Sequence, residues 1–493
     1  MKKLMLLSLV IFFQYSFLKS ETYKLDLQKS IEIAKLKSFN MLSLVQDFKI
    51  AEFNLKAATS TLKTHIDMNF VSPNYSKSVQ EYRTDTSLTY YTSKVLRYGG
   101  NLVIKQPLPT AGSVSVETGL FNNDTYTLNQ RSPSFYTTLS FVQPLTALYG
   151  YNTIKSELKK AELAYEQSKK GLKREELNLV YSVSGSFYNF LSAQKRTEIA
   201  RLDYDRQKEA FDISQNKFKA GLIKEVDALQ MEVDLAEAQN NYDLAIVNQS
   251  SSLNEFKQLI GINLSDSVSI SSEFKYDVVI VNPEKAVQLA LENRLEIREQ
   301  EIQIEQDKLN VKEKKSNGMI QSSLNVSFGK EGYSKQSINS SLTNSIQNSY
   351  SNYLERAPDY GIGLTVKVPI LDFGENRARV KSAEARLKQN LLRKLEVQRN
   401  IEREVINLVA NLNSSLKRLQ LLEKNIIVAE KSFEITRQRY SDGDIDSQAL
   451  ALERNRLNTA YNSHLSAYIN YQLLLADITR KTFYDFKNNE LIK

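Results

Sequence analysis

The sequence predicts a membrane α+β chain with an internal duplication, in which bilayer-spanning β-strands precede very long helical hairpins. Three observations predict it. A block of 32 residues, 211–242, recurs without a gap at 433–464. Two stretches, from Pro144 to Pro283 and from Pro369 onward, contain no internal proline and are rich in Leu, Ala, Glu, Lys, Gln and Arg, the strong helix formers. The segments before them, 65–145 and 319–371, hold most of the prolines, much Ser, Thr, Asn and Tyr, and short alternating runs that suit strands.

The repeat extends beyond one block. Seven of the 32 aligned positions are identical, among them Phe211/Phe433, Gly221/Gly443 and Ile223/Ile445, and Phe218/Tyr440 keeps its residue type. LQKSIEIAKL (27–36) answers PEKAVQLALE (283–292), and FVQPL (141–145) answers VKVPI (366–370). Three blocks recurring in one order imply two halves that share one architecture.

In chain order, residues 1–20 read as a secretory signal: Lys2 and Lys3, the apolar run Leu4–Phe13, then a polar stretch ending near Ser20. That run is too short to span a bilayer. The first repeat, 21–270, opens with a helix, continues with strands at about 65–145, and ends in a helical hairpin at 150–260. Leu102–Ile104, Ser113–Glu117 and Thr137–Val142 read as strands, and the polar, Tyr-rich stretch 75–100 as a loop outside a barrel. The helical pattern then runs from about Tyr151 to Ala220, which at ~1.5 Å per residue is roughly 100 Å. It stops at Gly221, and a second helical pattern runs back.

The second repeat, 271–493, follows the same order: a helix, strands at about 319–371, and a hairpin at 374–480. Ser322–Phe328 and Gly363–Ile370 are its strands, 333–360 its loop, and Gly443 its helix stop. After Gly443, Leu450, Leu457, Tyr461, Leu465, Tyr468, Tyr471 and Leu475 recur in steps of three, four or seven, a coiled-coil-like seam that wants helices on its flanks. Tyr90, Tyr91, Tyr98, Tyr136, Tyr353 and Tyr360 belong to an interfacial belt or to loop packing.

Strand number decides the assembly. Each half offers two spanning strands, with room for a further hairpin around 101–121. Four to six strands cannot close a barrel, and a bilayer does not tolerate open sheet edges, so several chains must pool their strands.

Composition removes most other classes. The chain has no cysteine, which excludes disulfides, thiolate metal sites, a Cys nucleophile and a lipid-modified N-terminal Cys. Its two histidines, His65 in a strand-like segment and His464 in a helical one, have no acid constellation around them. No phosphate-binding loop and no metalloprotease or serine-hydrolase signature is present. An enzyme, a metal site and a cofactor are therefore not expected. The net charge is +8, or +5 once Lys2, Lys3 and Lys19 leave with the signal, and acids interleave the bases throughout. That is a solvated surface rather than a nucleic-acid patch.

Together, LQKSIEIAKL and PEKAVQLALENR, the junctions FVQPL and VKVPILDFGENRAR, and the tip motifs KFKAGLIKEVDAL and RYSDGDIDSQAL resemble the TolC-type outer-membrane efflux family over about 25–480. The resemblance implies a homotrimer in outer-membrane lipid: a twelve-stranded transmembrane β-barrel, four strands per chain, continued by a long periplasmic α-helical barrel with shorter equatorial helices. It also implies an outer-membrane channel-tunnel of a tripartite efflux or type I secretion system. An inner-membrane pump would load the substrate, a periplasmic adaptor protein would hold the tunnel, and the helix tips would gate it.

Two departures stand out against that family. About 55 additional residues precede Pro144, including QPLPTAGSVSVETGLF (106–121). At the tip, the two aspartates that some members carry six and nine residues after the second glycine are Ala449 and Leu452 here. Asp227 matches the acid of the first repeat and Tyr440 a gate-bracing tyrosine, whereas Ile445 replaces the basic residue of that brace. Asp442, Asp444 and Asp446 surround Gly443 instead, and either supply a negative field at the entrance or cap the turn. Ala220, Gly221 and Leu222 fit the adaptor-docking pattern of small tip residues. Asp442, Gly443 and Asp444 depart from it and imply a polar or basic adaptor surface. The competing reading is a secreted coiled-coil structural or adhesive protein with a β-rich head, which leaves the twice-occurring strand blocks unexplained.

Overall fold

The computed structural model describes residues 22–83, 85, 87–270 and 275–492, so the expected signal segment lies outside it. Strand β1 (Thr22–Leu25) leads into α1 (Leu27–Lys37) and α2 (Phe39–Ser60). Four strands follow: β2 (His65–Arg83), β3 (Leu88–Pro107), β4 (Ser113–Thr125) and β5 (Gln130–Pro144). After the single turn α3 (Thr146–Tyr149) come α4 (Thr153–Lys219) and α5 (Glu225–Ile260). The second half holds β6 (Ser267–Ile270), α6 (Pro283–Asn293), α7 (Leu295–Asn317), β7 (Gln321–Tyr333), β8 (Gln336–Ser337), α8 (Leu342–Glu355) and β9 (Asp359–Lys367). It ends with α9 (Glu375–Asp442), α10 (Ser447–Thr482) and the small strands β10 (Tyr484–Asp485) and β11 (Glu490–Leu491).

The order of helices repeats with matched lengths. The first long helices, α4 and α9, have 67 and 68 residues, and the returning helices α5 and α10 have 36 each. No proline interrupts any of them. Among the described residues no helix is long and apolar enough to cross a membrane.

The chain forms two compact units. One contains residues up to Gln46, Lys170–Ile297 and Glu396 onward. Here β1 pairs with β6 in parallel, bringing the start of the chain beside the end of its first half. The core is apolar, with Leu25, Phe187, Phe256, Val405, Leu412 and Tyr471 almost fully covered. The seam on α10 is as spaced: Leu450, Leu457, Leu465, Tyr468 and Tyr471 are buried, and Tyr461 is half-buried. The Tyr471 hydroxyl donates to the Asp277 carbonyl at 2.7 Å and accepts from the Val279 N–H at 3.1 Å, tying α10 to the segment before α6. Arg294, whose side chain is 8 % exposed, binds Glu296 at 2.6 Å and Glu404 at 2.5 Å, and Lys481 reaches Glu404 at 2.5 Å. Burial alone raises the Glu404 carboxyl, but the hydrogen bonds from Arg294 and Lys481 outweigh it and hold the group below the ordinary glutamate value.

The other unit, Asp47–Lys169 with Arg298–Leu395, is built on an antiparallel sheet of order β2-β3-β4-β5-β7-β9, with β8 on β5. Six long strands lie on one path, against the four per chain that the resemblance implies. The stretch 75–100, expected as a loop, is mostly strand: β2 and β3 pair without a break from Tyr75↔Leu96 to Arg83↔Leu88. Its residues are mostly polar on both faces, so the apolar alternation that marks a membrane strand is missing there. The stretch 333–360 carries α8, which lies on β5 and β7. Phe135 meets Tyr350 and Tyr353 edge-on at 5.6 and 4.8 Å, and a Cβ at Gly332 would lie 2.2 Å from the Tyr353 nitrogen. Only glycine admits the helix this close.

Candidate functional site

The two hairpin tips are built alike. At the first, the Leu222 N–H donates to the Lys217 carbonyl and the Gly221 N–H to Phe218, both at 2.9 Å. At the second, Asp444 donates to Arg439 at 2.9 Å and Gly443 to Tyr440 at 3.2 Å, each 222 positions later. This is the αL helix stop, and Gly221 and Gly443 have φ of 72° and 88°. A Cβ at either would meet nothing within 4 Å, so the backbone angle rather than space requires glycine.

The tip carboxylates divide by role. Asp446 is the N-cap of α10, accepting from the Ala449 N–H at 2.9 Å. Asp227, in the first turn of α5, accepts from the Lys224 N–H at 3.4 Å, and its charge suits a helix N-terminus. Asp442 ends α9, accepts from Gln438 at 3.1 Å, and is exposed. Asp444 is exposed in the turn itself. Ala220, Gly221 and Leu222 are exposed at the first tip, with Leu222 73 % accessible.

Tyr440 sits in the small core that joins the two hairpins, with Met231, Phe433, Leu450 and Leu457, and is 3 % exposed. Burial raises its phenol above the usual tyrosine value, and the nearby Asp227 charge adds to this. Although Ile445 cannot brace it, a basic residue is present: the Lys217 ammonium donates to the Tyr440 carbonyl and lies 4.6 Å from its ring centroid. Lys217 comes from α4, on the other hairpin. Its counterpart in the repeat is Arg439, and that matched pair of basic residues beside Phe218 and Tyr440 was the available signal. A second link between the hairpins is Arg437, which reaches Glu209 at 2.8 Å and Glu434 at 2.6 Å.

Neither histidine is near this site chemistry. His65 begins β2, and His464 lies on α10, where burial lowers its pKa. Among the described residues no group of three or more His, Asp or Glu side chains is placed to hold a metal ion.

The chain thus combines an antiparallel sheet with two free edges and two long helical hairpins with matched turns, as a chain of an outer-membrane channel does. The protein belongs to the outer membrane efflux protein family, whose pattern matches residues 113–262 and 286–479. It is similar to the alkaline protease secretion protein AprF of Pseudomonas aeruginosa, 22 % identical over 347 residues, 68 % of each chain. In fold it is similar to the Campylobacter jejuni CmeC outer membrane channel, with a TM-score of 0.67 at 15 % identity over 92 % of this chain and 85 % of that one. The open state of the Neisseria gonorrhoeae MtrE outer membrane channel matches with a TM-score of 0.65 at 15 % identity over 94 % and 90 %. The protein is thus an efflux-family channel of the outer membrane with a periplasmic helical part. Family membership selects this class over the rod-like adhesive reading.

Proposed function

We propose that the chain is the outer-membrane duct of a tripartite efflux or type I secretion system, a passive homotrimer gated at its helix tips. An inner-membrane pump supplies the energy and a periplasmic adaptor holds the tips. Residues 21–270 and 271–493 act as two structural repeats, which the paired helix lengths and the matched tip hydrogen bonds support. The observation that carries the reading is the pairing of the two hairpins at their ends, where Lys217 of one grips Tyr440 of the other beside two glycine turns. Opening requires the hairpins to part, and this is the contact that resists it.

Asp442 and Asp444, exposed and without a capping duty, supply the negative field of the entrance and favour cations. Asp227 and Asp446 hold helix starts and add to that field. Ala220–Leu222 and Asp442–Asp444 form the adaptor-docking turns, one apolar and one acidic. The test is cation-over-anion permeability in planar bilayers: Asp442→Asn with Asp444→Asn should reduce it, and unchanged selectivity would remove the acidic tip from the mechanism.

A further inference from the structure

We propose that the hairpin β2–β3 belongs to the membrane wall, so that each copy contributes six strands and three copies close an eighteen-stranded barrel, β9 of one copy pairing with β2 of the next. The proposal rests on the three-copy duct above. It changes the pore: barrel diameter grows roughly linearly with strand number, so eighteen strands make a lumen about 1.5 times as wide as twelve.

The sheet's two faces carry it. One register row crosses all six strands as Ile66–Ile104–Val116–Leu139–Phe328–Tyr360, apolar or aromatic throughout. The adjacent row, on the opposite face, reads His65–Lys105–Ser115–Ser140–Ser327–Gly361, with no apolar side chain. Lipid outside and water inside demand this division, and it continues in register through β2 and β3. A hairpin folded away from the membrane would gain nothing from it. Ile66, Met68 and Phe70 on β2 are 65, 62 and 74 % exposed, matching Ile362 and Leu364 on β9 at 77 and 62 %. Above the irregularity between Val71 and Asn74 the outward row becomes Tyr75, Lys77, Val79 and Glu81, so the apolar band ends where a membrane would.

β3 is fixed into the wall on the polar face. Glu117 of β4 accepts from Asn101 of β3 and from the Tyr136 hydroxyl of β5, each at 2.6 Å. Gly119 makes room for this, since a Cβ there would lie 2.8 Å from the Tyr136 ring and 2.9 Å from Asn101. The residues matched by the family pattern contain β4, β5, β7 and β9 and begin after β2 and β3.

The free edges name the partner. Both ends of the sheet, β2 and β9, have one unpaired side. In a bilayer such an edge costs several kcal/mol per unsatisfied group, and here no proline or lysine blunts His65–Val71. Six antiparallel strands alternate direction, so β9 runs opposite to β2 and a second copy of this chain fits both edges antiparallel.

Because the chain has no cysteine, disulfide mapping can test the pairing directly. Pore-facing positions of β2 (His65, Asp67 or Asn69→Cys) would be paired with those of β9 (Gly361, Gly363 or Thr365→Cys) and oxidised in outer membranes. Ser115→Cys on β4, with the same β9 partners, reports the four-strand alternative. The native mass of the unmodified protein counts the copies. Expected are a three-copy mass and one β2–β9 register that converts single chains into covalent two- and three-chain species. A three-copy mass with crosslinks from Ser115, or with none from β2 in any register, would overturn the six-strand wall and leave the duct standing. A two-copy mass would overturn the eighteen-stranded barrel and the three-copy duct together, since two copies give only twelve strands.

Discussion

Lys217 and Tyr440 form the tip contact that the proposed gate relies on. The ammonium over the ring and its hydrogen bond to the Tyr440 carbonyl join two hairpins whose turns, Ala220–Leu222 and Asp442–Asp444, face solvent. Lys217→Met keeps the stem and removes both contacts. Their loss is worth about 1 kcal/mol, or roughly fivefold in an open–closed equilibrium, so open probability in planar bilayers should rise by that factor. An unchanged value would assign the closure to the apolar core and the Arg437–Glu209 pair. Gly443→Ala, at a φ of 88°, should cost about 1 kcal/mol in thermal or denaturant unfolding, with no clash to relieve. Legibility at this scale was uneven. The glycine stops and Tyr440 stand out in the sequence because the repeat aligns them. Lys217 does not, because it meets Tyr440 across 223 residues and replaces a family contact expected from Ile445's position. Asp446 reads equally as a gate acid or as a cap, because Asp serves both purposes, and it accepts from the Ala449 N–H at the start of α10.

At the scale of elements, the long helices were legible almost to their ends. Proline is absent and the apolar seam keeps one period for many turns, so tertiary context has little left to decide. The strands were less legible. Where one face meets lipid, as in Ser113–Glu117, alternation marks them. Where β2 and β3 continue beyond Val71, Lys77 and Lys94 face each other on paired strands, and a polar ribbon reads as a loop. Tyr471 fastens α10 to the segment before α6, and Tyr471→Phe leaves the Val279 N–H and the Asp277 carbonyl without their shared partner. Equilibrium unfolding should show a loss of about 1–3 kcal/mol. The Arg294–Glu404–Lys481 group gives the helical unit a pH dependence. Its folded carboxyl lies below the unfolded value, so the stabilisation is fully present above about pH 4.3 and is lost as pH falls through the folded value. The melting temperature should therefore drop in that acid range, and Glu404→Gln should flatten the drop while lowering stability at neutral pH.

For the whole molecule, the proposed account is a pore that several copies complete through their free sheet edges and that the helix ends regulate. In the proposed three-copy duct the acidic turn residues Asp442 and Asp444 would gather at the entrance and supply its negative field. The most direct test is single-channel conductance of the purified protein in a planar bilayer. A small, long-lived, cation-selective conductance at rest, rising in Lys217→Met, is the predicted result. No conductance from folded, membrane-inserted protein, in either the unmodified chain or that variant, would contradict a gated duct.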